Sequence, residues 1–288
     1  MNNKLNNNQD PAPIDWNAIS LPDSWSDQYR LSNPLSLCKV LSMMVKKKKR
    51  QKVQLPDKLV GKDIIPTYAQ QEFHNLPNGN YSNTLATGYI KGFDIAMLGK
   101  MKQSRKQIAQ ALKSCQSVLD IGCGGARTTQ SIFESGVNDI WGIDISPYLL
   151  KQAAINNPGI KFIHAKAEDL PFRDERFDGI SCCYVLHEIP PKYISQALDE
   201  IHRVLKPSGL CIFVEPSPIH YYGQYWKLFK QYGFKGAYFR FLSHFVYEPF
   251  VKSWHKLDFE SLLVNKSFDI IETIKETPNY LWVVRKKG

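Results

Sequence analysis

In Asp120-Ile121-Gly122-Cys123-Gly124 a carboxylate stands just ahead of a Gly-x-Gly turn, at the end of an apolar run that starts at Ser117. Gly122 and Gly124 allow a bound group to come close to the backbone. The amides at the start of a following helix would then face an anionic or carboxylate-bearing ligand. Further on, Tyr184-Val185-Leu186-His187-Glu188 places an imidazole and a carboxylate side by side. Either could take a proton in a reaction, and His187 is favoured because its ordinary pKa lies near neutrality. The plain alternative is that both residues merely begin a helix.

The elements that must position these groups follow from hydrophobic patterning. Ser117 to Ile121, Ile140 to Asp144, Lys161 to Ala165, Phe177 to Cys183 and Gly209 to Glu215 are short apolar runs expected to be strands. Helical segments are expected over Arg127 to Ser135, Pro147 to Asn156 and Ile194 to Leu205. This β-α-β alternation predicts an α/β fold, a mostly parallel sheet with helices on both faces. Ligands of such sheets bind beyond the carboxyl ends of the strands. Asp120, Asp144, Cys183 and Glu215 all stand at those ends. A dinucleotide site would require glycine at 127, where Arg127 stands, whereas an S-adenosylmethionine site prefers an acid before Gly-x-Gly, which Asp120 supplies.

The ordered set resembles the class I S-adenosylmethionine-dependent methyltransferases, type 11 (small-molecule) branch, over residues 115 to 215. Asp120 to Gly124 looks like the family's first motif, and Gly142-Ile143-Asp144-Ile145-Ser146 like the segment whose strand-end acid binds the ribose hydroxyls. Ala167-Glu168-Asp169-Leu170-Pro171-Phe172 is similar to the adenine-side loop, and Arg203 to Gly209 to the turn before the fifth strand. The resemblance implies a Rossmann-like seven-stranded sheet with Phe268 to Lys275 and Tyr280 to Arg285 as its last two strands. It implies S-adenosyl-L-methionine as cofactor, held by Asp120, Gly122, Cys123, Gly124, Asp144, Ile145, Ala167, Glu168 and Cys183. Ala126 stands where a third glycine is common, and Lys166 where an acid or amide often faces adenine. Tyr81, Tyr184, Glu215 and Tyr221 are expected to line the acceptor site, with His74 and His220 as weaker candidates.

Between Tyr221 and Trp254 lie 14 aromatic residues. They occupy the place where this family inserts a lid, and they suggest a bulky apolar or aromatic acceptor; a packed helix is the simpler reading. The expected layout is a loosely ordered Asn/Lys-rich extension (1 to 60) and a methyltransferase domain (61 to 288) with a helical N-terminal cap and a lid over about 217 to 256.

The formal charge of +10 divides unevenly: net +5 over residues 1 to 60, zero over 61 to 216 and +5 over 217 to 288. The excess thus belongs to the flanks, where it could steer the chain to an anionic surface; a nucleic-acid methyltransferase would explain the charge, but Cys182-Cys183-Tyr184-Val185 stands in place of an Asp/Asn-Pro-Pro-aromatic motif. A nucleic-acid methyltransferase and a non-catalytic cofactor-binding scaffold remain the rival readings. The apolar run Leu35 to Val45 followed by Lys46 to Arg50 could lie on an anionic membrane or form a small packed helix and linker. No run reaches the roughly 18 apolar residues of a membrane span, so a cytoplasmic protein is expected, with peripheral membrane contact left open. The six cysteines form no Cys-x-x-Cys pair, so reduced, buried thiols and no metal site are expected.

Overall fold

The computed structural model describes residues 9–45 and 52–288, so the Lys46 to Arg50 cluster lies outside the described residues. Ahead of the sheet come α1 (Pro34–Val45), α2 (Asn83–Ala96) and α3 (Lys100–Leu112). The central run is β1 (Ser117–Ile121), α4 (Arg127–Glu134), β2 (Asp139–Asp144), α5 (Pro147–Asn156), β3 (Lys161–His164), β4 (Phe177–Cys183), α6 (Pro191–Val204) and β5 (Leu205–Pro216). Then follow α7 (Pro218–Tyr222), α8 (Tyr225–Phe245), α9 (Val251–His255), α10 (Phe259–Asn265), β6 (Phe268–Lys275) and β7 (Asn279–Lys286).

The seven strands lie in the order β3-β2-β1-β4-β5-β7-β6. The first five are parallel, and β7 runs antiparallel to both β5 and β6. All five residues of β1 are buried, as a central strand covered on both faces requires. One apolar layer joins α6 and α10 to β4 and β5, and the other joins α3, α4 and α5 to the opposite face. Chain order reverses between β1 and β4, so a crevice opens at their carboxyl ends.

The structure is a Rossmann-like, mostly parallel α/β fold. In the helical N-terminal cap, α2 and α3 are separated where Leu98 (φ 48°) and Gly99 (φ 71°) are both left-handed. β5 starts four residues earlier than its apolar run, because Leu205 already pairs with Phe177 across a bulge.

Residues 9 to 33 are docked on the domain at discrete points. Trp16 is buried and its Nε1 donates to the Phe162 carbonyl at 2.9 Å, while Tyr148 Oη donates to Pro22 O at 2.7 Å. Asp27 Oδ1 accepts from Ser82 Oγ and Thr84 N, both at 2.7 Å, tying this segment to the start of α2. A few anchors in a polar sequence suffice, since each satisfies a group that would otherwise be buried unpaired. The cysteine expectation holds for Cys123, Cys182 and Cys211, whereas Cys38 is exposed and Cys115 and Cys183 are half-buried. Among the described residues no helix is long and apolar enough to cross a membrane, and no group of His, Cys, Asp or Glu is arranged to hold a metal ion.

Candidate active site

The cleft at the β1/β2 ends is walled on one side by the sheet and on the other by the N-terminal cap. Gly122, Gly124, Asp144, Ile145 and Ala167 line it, facing Tyr68, Tyr81 and Tyr89; Tyr184 and Glu188 complete the wall. The space measures about 830 Å³ when its solvent-open mouth is counted.

Asp144 is fixed by local chain chemistry. Its Oδ2 accepts from Gly124 N and its Oδ1 from Ser146 N, each at 2.8 Å. Ser146 in turn caps α5, with Oγ accepting from Leu149 N, and Pro147 occupies the first helical turn where no amide partner is lost. Burial raises the Asp144 carboxyl to about 6 despite these amides, with smaller contributions from Glu188 and Asp120. A carboxylate so poor in solvent favours additional donors. Each oxygen keeps acceptor capacity, which suits a vicinal diol.

Asp120 lies behind the glycine loop rather than in the cleft. Its Oδ2 accepts from Thr129 Oγ1 and its Oδ1 from Ser181 Oγ, both at 2.6 Å, joining α4 and β4 to β1. Burial raises it to about 6, against the two hydroxyls. Its geometry is that of a brace for the loop. Cys123 is buried beneath the loop, so close to Gly142 that a Cβ there would come within 2.9 Å of its sulfur. Glu168 accepts from Tyr68 Oη at 2.9 and 3.0 Å and reaches the cleft only through that tyrosine. Cys183 packs among apolar residues at the end of β4. Lys166 turns to Asp169 at 3.5 Å, away from an adenine-contacting role. Ala126, at φ 61°, holds the left-handed conformation that a glycine would adopt without strain, at a cost of about 1–2 kcal/mol.

On the acceptor side the sequence expectations divide. Tyr81 and Tyr184 line the cleft, whereas Glu215 and Tyr221 do not. Glu215 is fully buried and accepts from the amides of Val185 (3.0 Å), Leu186 (2.8 Å) and His187 (3.4 Å). It shapes the turn after β4. Tyr221 stacks on His244 at 4.6 Å, on the lid, and His220 is buried against Tyr232 and Phe239.

The expectation that His187 is the general base does not fit the structure. The ring is 1% exposed, lies outside the cleft, and is held between Glu215 and Glu248. Burial opposes its charged form, but those two carboxylates outweigh burial and raise its pKa well above the ordinary value. Glu188 is the neighbour that reaches the cleft, with His74 Nε2 3.0 Å from its Oε1.

Tyr68, Tyr89 and Glu248 were missed. Burial, then Glu168, raises the Tyr68 phenol, and burial followed by Glu188 raises Tyr89, so both remain neutral donors. Neither carries a local motif. Glu248 did have a signal, as the sole acid between Glu215 and Asp258.

An open sheet of this topology, with a glycine turn after β1 and a ligand-facing acid closing β2, defines the class I methyltransferase fold. Residues 119–213 match the methyltransferase domain family of type 11. The chain is 38% identical over 105 residues to an uncharacterised methyltransferase of Synechocystis sp., covering 36% of this chain and 49% of that protein. It is 33% identical over 151 residues to a demethylmenaquinone methyltransferase of Lysinibacillus sphaericus, covering 50% and 60% respectively. The chain thus spans about half the length of the first of these curated relatives. Among solved structures it is similar to an S-adenosylmethionine-dependent methyltransferase from Mesorhizobium loti, with 17% identity, a TM-score of 0.44, and coverage of 59% of this chain and 90% of that one.

Proposed function

We propose that this protein transfers a methyl group from S-adenosylmethionine to a small, apolar or aromatic acceptor. The reading rests on one juxtaposition: the Asp144 and glycine-loop wall of the cleft faces a wall of neutral tyrosines. The loop and Asp144 suit the cofactor's amino-acid and ribose parts, and Ile145, Ala165 and Ala167 give the cleft apolar lining suited to a purine. When bound, the cofactor supplies the electrophilic methyl carbon. The chain's own groups orient the acceptor and exclude water, which is most of what a methyl transfer requires. Tyr68, Tyr89 and Tyr184 can stack on or hydrogen-bond an acceptor ring. Where the acceptor carries a proton at the attacking atom, Glu188 would be the carboxylate placed to take it. The relatives named for demethylmenaquinone methylation support a small-molecule acceptor.

Incubation with radiolabelled S-adenosylmethionine and a lysate of the source cells tests this reading. Organic-soluble label is the expected product. Label in RNA or DNA would favour the nucleic-acid rival, and cofactor binding without any labelled product would favour a scaffold.

We also propose peripheral contact with an anionic membrane. Leu37, Leu41 and Val45 form one exposed stripe of α1, and α8 exposes Trp226, Phe229, Phe234 and Phe241. No acid occurs between Glu215 and Glu248, whereas Lys227, Lys230, Lys235 and Arg240 do. α1 adjoins the turn Phe73–Asn75, and Asn75 Nδ2 donates to Phe245 O at the end of α8, which brings the two helices to one side of the molecule. Each lysine near such a surface contributes about 1 kcal/mol. Replacing Lys46 to Lys49 by serine is expected to lower co-sedimentation with phosphatidylglycerol vesicles and leave cofactor affinity intact. Equal sedimentation of variant and parent would refute the contact.

A further inference from the structure

From behind the cleft to its wall, three carboxylates and two imidazoles alternate in a row whose inner end, Glu215 and His187, is buried. Glu215 Oε2 is 2.6 Å from His187 Nδ1, and His187 Nε2 faces Glu248 Oε1 at 3.6 Å. The same Glu248 oxygen is 3.9 Å from His74 Nε2, which lies 3.0 Å from Glu188 Oε1 at the cleft wall. The row joins β5, the turn after β4, the segment between α8 and α9, and the N-terminal cap. Glu215 is held by backbone amides, so its place is set by the fold. Glu248 instead has its charge met by His187 and His74, with His255 farther off.

A second observation converges on the same point. His74 (φ 57°) and Asn75 (φ 60°) are consecutive non-glycine residues in the left-handed region, a costly conformation that persists where surroundings impose it. The imposing contacts come from the end of α8 and the segment after it: Asn75 Nδ2 donates to Phe245 O at 2.5 Å, and His74 N to Tyr247 O at 2.9 Å. Tyr247 Oη donates to Gln71 Oε1 at 3.0 Å. The His74 ring stacks on Tyr89, with centroids 5.2 Å apart, and Tyr89 lines the cleft.

We propose that Glu248 is a positioning residue: by bridging His187 and His74 it seats the segment after α8 on the core, and through His74 it holds Glu188 at the cleft wall. Glu188 as the acceptor-side carboxylate rests on the functional reading above; the seating itself does not. Burial opposes charge on both imidazoles, yet the flanking carboxylates raise their pKa values, and the imidazoles in turn lower that of Glu248 against its own burial. The other groups facing the row are Tyr89 and Tyr184 beside the rings, His255 beyond Glu248 and Asp144 across the cleft. A raised imidazole pKa means that the tie is complete below the ordinary imidazole value and is lost as pH rises through the higher folded values. The lowered Glu248 value means loss at the acid end only below the usual carboxylate range.

The test is Glu248→Gln in the full chain. Hydrogen exchange over residues 246 to 254 is expected to quicken at least tenfold at pH 6.5, and the ¹⁵N-imidazole titrations of His187 and His74 to fall toward the ordinary range. The turnover number for methyl transfer should drop about tenfold or more with the cofactor Kd within twofold, and Glu248→Asp should recover part of each change. Unchanged exchange and titrations overturn the seating, and loosened exchange with unchanged turnover overturns the hold on Glu188. If Glu248→Gln does not fold, His74→Gln breaks the row from the cap side and decides by the same readouts. If the parent chain transfers no methyl group, the functional reading fails, and exchange and titration alone decide the proposal.

Discussion

Replacing Asp144 by alanine is expected to raise the Kd for S-adenosylmethionine by about 150-fold or more. Hydrogen bonds to a charged acceptor are worth about 1.5–3 kcal/mol each, and two of them at the low end give about 3 kcal/mol. The same substitution frees Gly124 N and Ser146 N, so part of the loss comes from the glycine loop. Asp144→Asn separates these effects, because it keeps the shape and one acceptor oxygen while removing the charge. The carboxyl titrates at about 6 in the folded protein, above its unfolded value. Its neutral form therefore favours the ligand-free fold below that range, and the stability it lends is lost as pH rises through 6. Cofactor binding has the opposite sign, since hydroxyl donors stabilise the carboxylate. Affinity should accordingly weaken as pH falls from 7.5 to 5, and the slope should flatten in Asp144→Asn, with any remainder attributable to Asp120. Calorimetry giving a parent Kd independent of pH, together with unaltered binding by a folded Asp144→Ala, would remove Asp144 from the site.

Short apolar runs and period-3.6 patterning locate the central elements because a sheet buried on both faces leaves few alternatives for its strands. The spacing of Asp120, Gly122, Gly124 and Asp144 likewise reads directly, since all four are set by local turns at adjacent strand ends. His187 illustrates the limit. Its sequence position beside Glu188 suggests a reactive pair, but in space it is enclosed by Glu215, 28 residues on, and by Glu248 from beyond α8. Neither partner can be inferred from the local run. The cap was opaque for a related reason: Tyr68 and Tyr89 belong to no motif and meet the cleft only because the extension and α2 fold back onto α5. The aromatics of the lid were legible as composition but not as placement. Gly233 breaks α8 at φ 62°, and much of the aromatic surface faces outward rather than into the cleft.

Gly122→Val is expected to destabilise the fold by roughly 2–6 kcal/mol and to abolish measurable cofactor binding. Two independent penalties act at this position. The residue has φ 64°, where a branched side chain is strained by about 1–3 kcal/mol. A Cβ would also fall 2.3 Å from Val185 Cγ2, and overpacking of that kind costs about 1–3 kcal/mol. Val185 cannot retreat freely, because its amide is held by Glu215 at 3.0 Å. For a domain of this size each kcal/mol lowers Tm by about 2–4 °C, so a fall of order 10 °C should appear in a thermal melt. Gly124 provides the contrast: φ is 51°, but a Cβ would meet no protein atom within 4 Å. Gly124→Ala should therefore keep the fold at a cost of about 1–2 kcal/mol from the backbone alone. A double-mutant cycle isolates the contact, since Val185→Ala removes the obstructing methyls while leaving the φ penalty in place. Recovery of about half the stability lost in Gly122→Ala, on adding Val185→Ala, is the expected result. Strict additivity of the two substitutions would show that the turn does not depend on Val185, and a Gly122→Val variant that melts and binds like the parent would remove the loop from the site altogether.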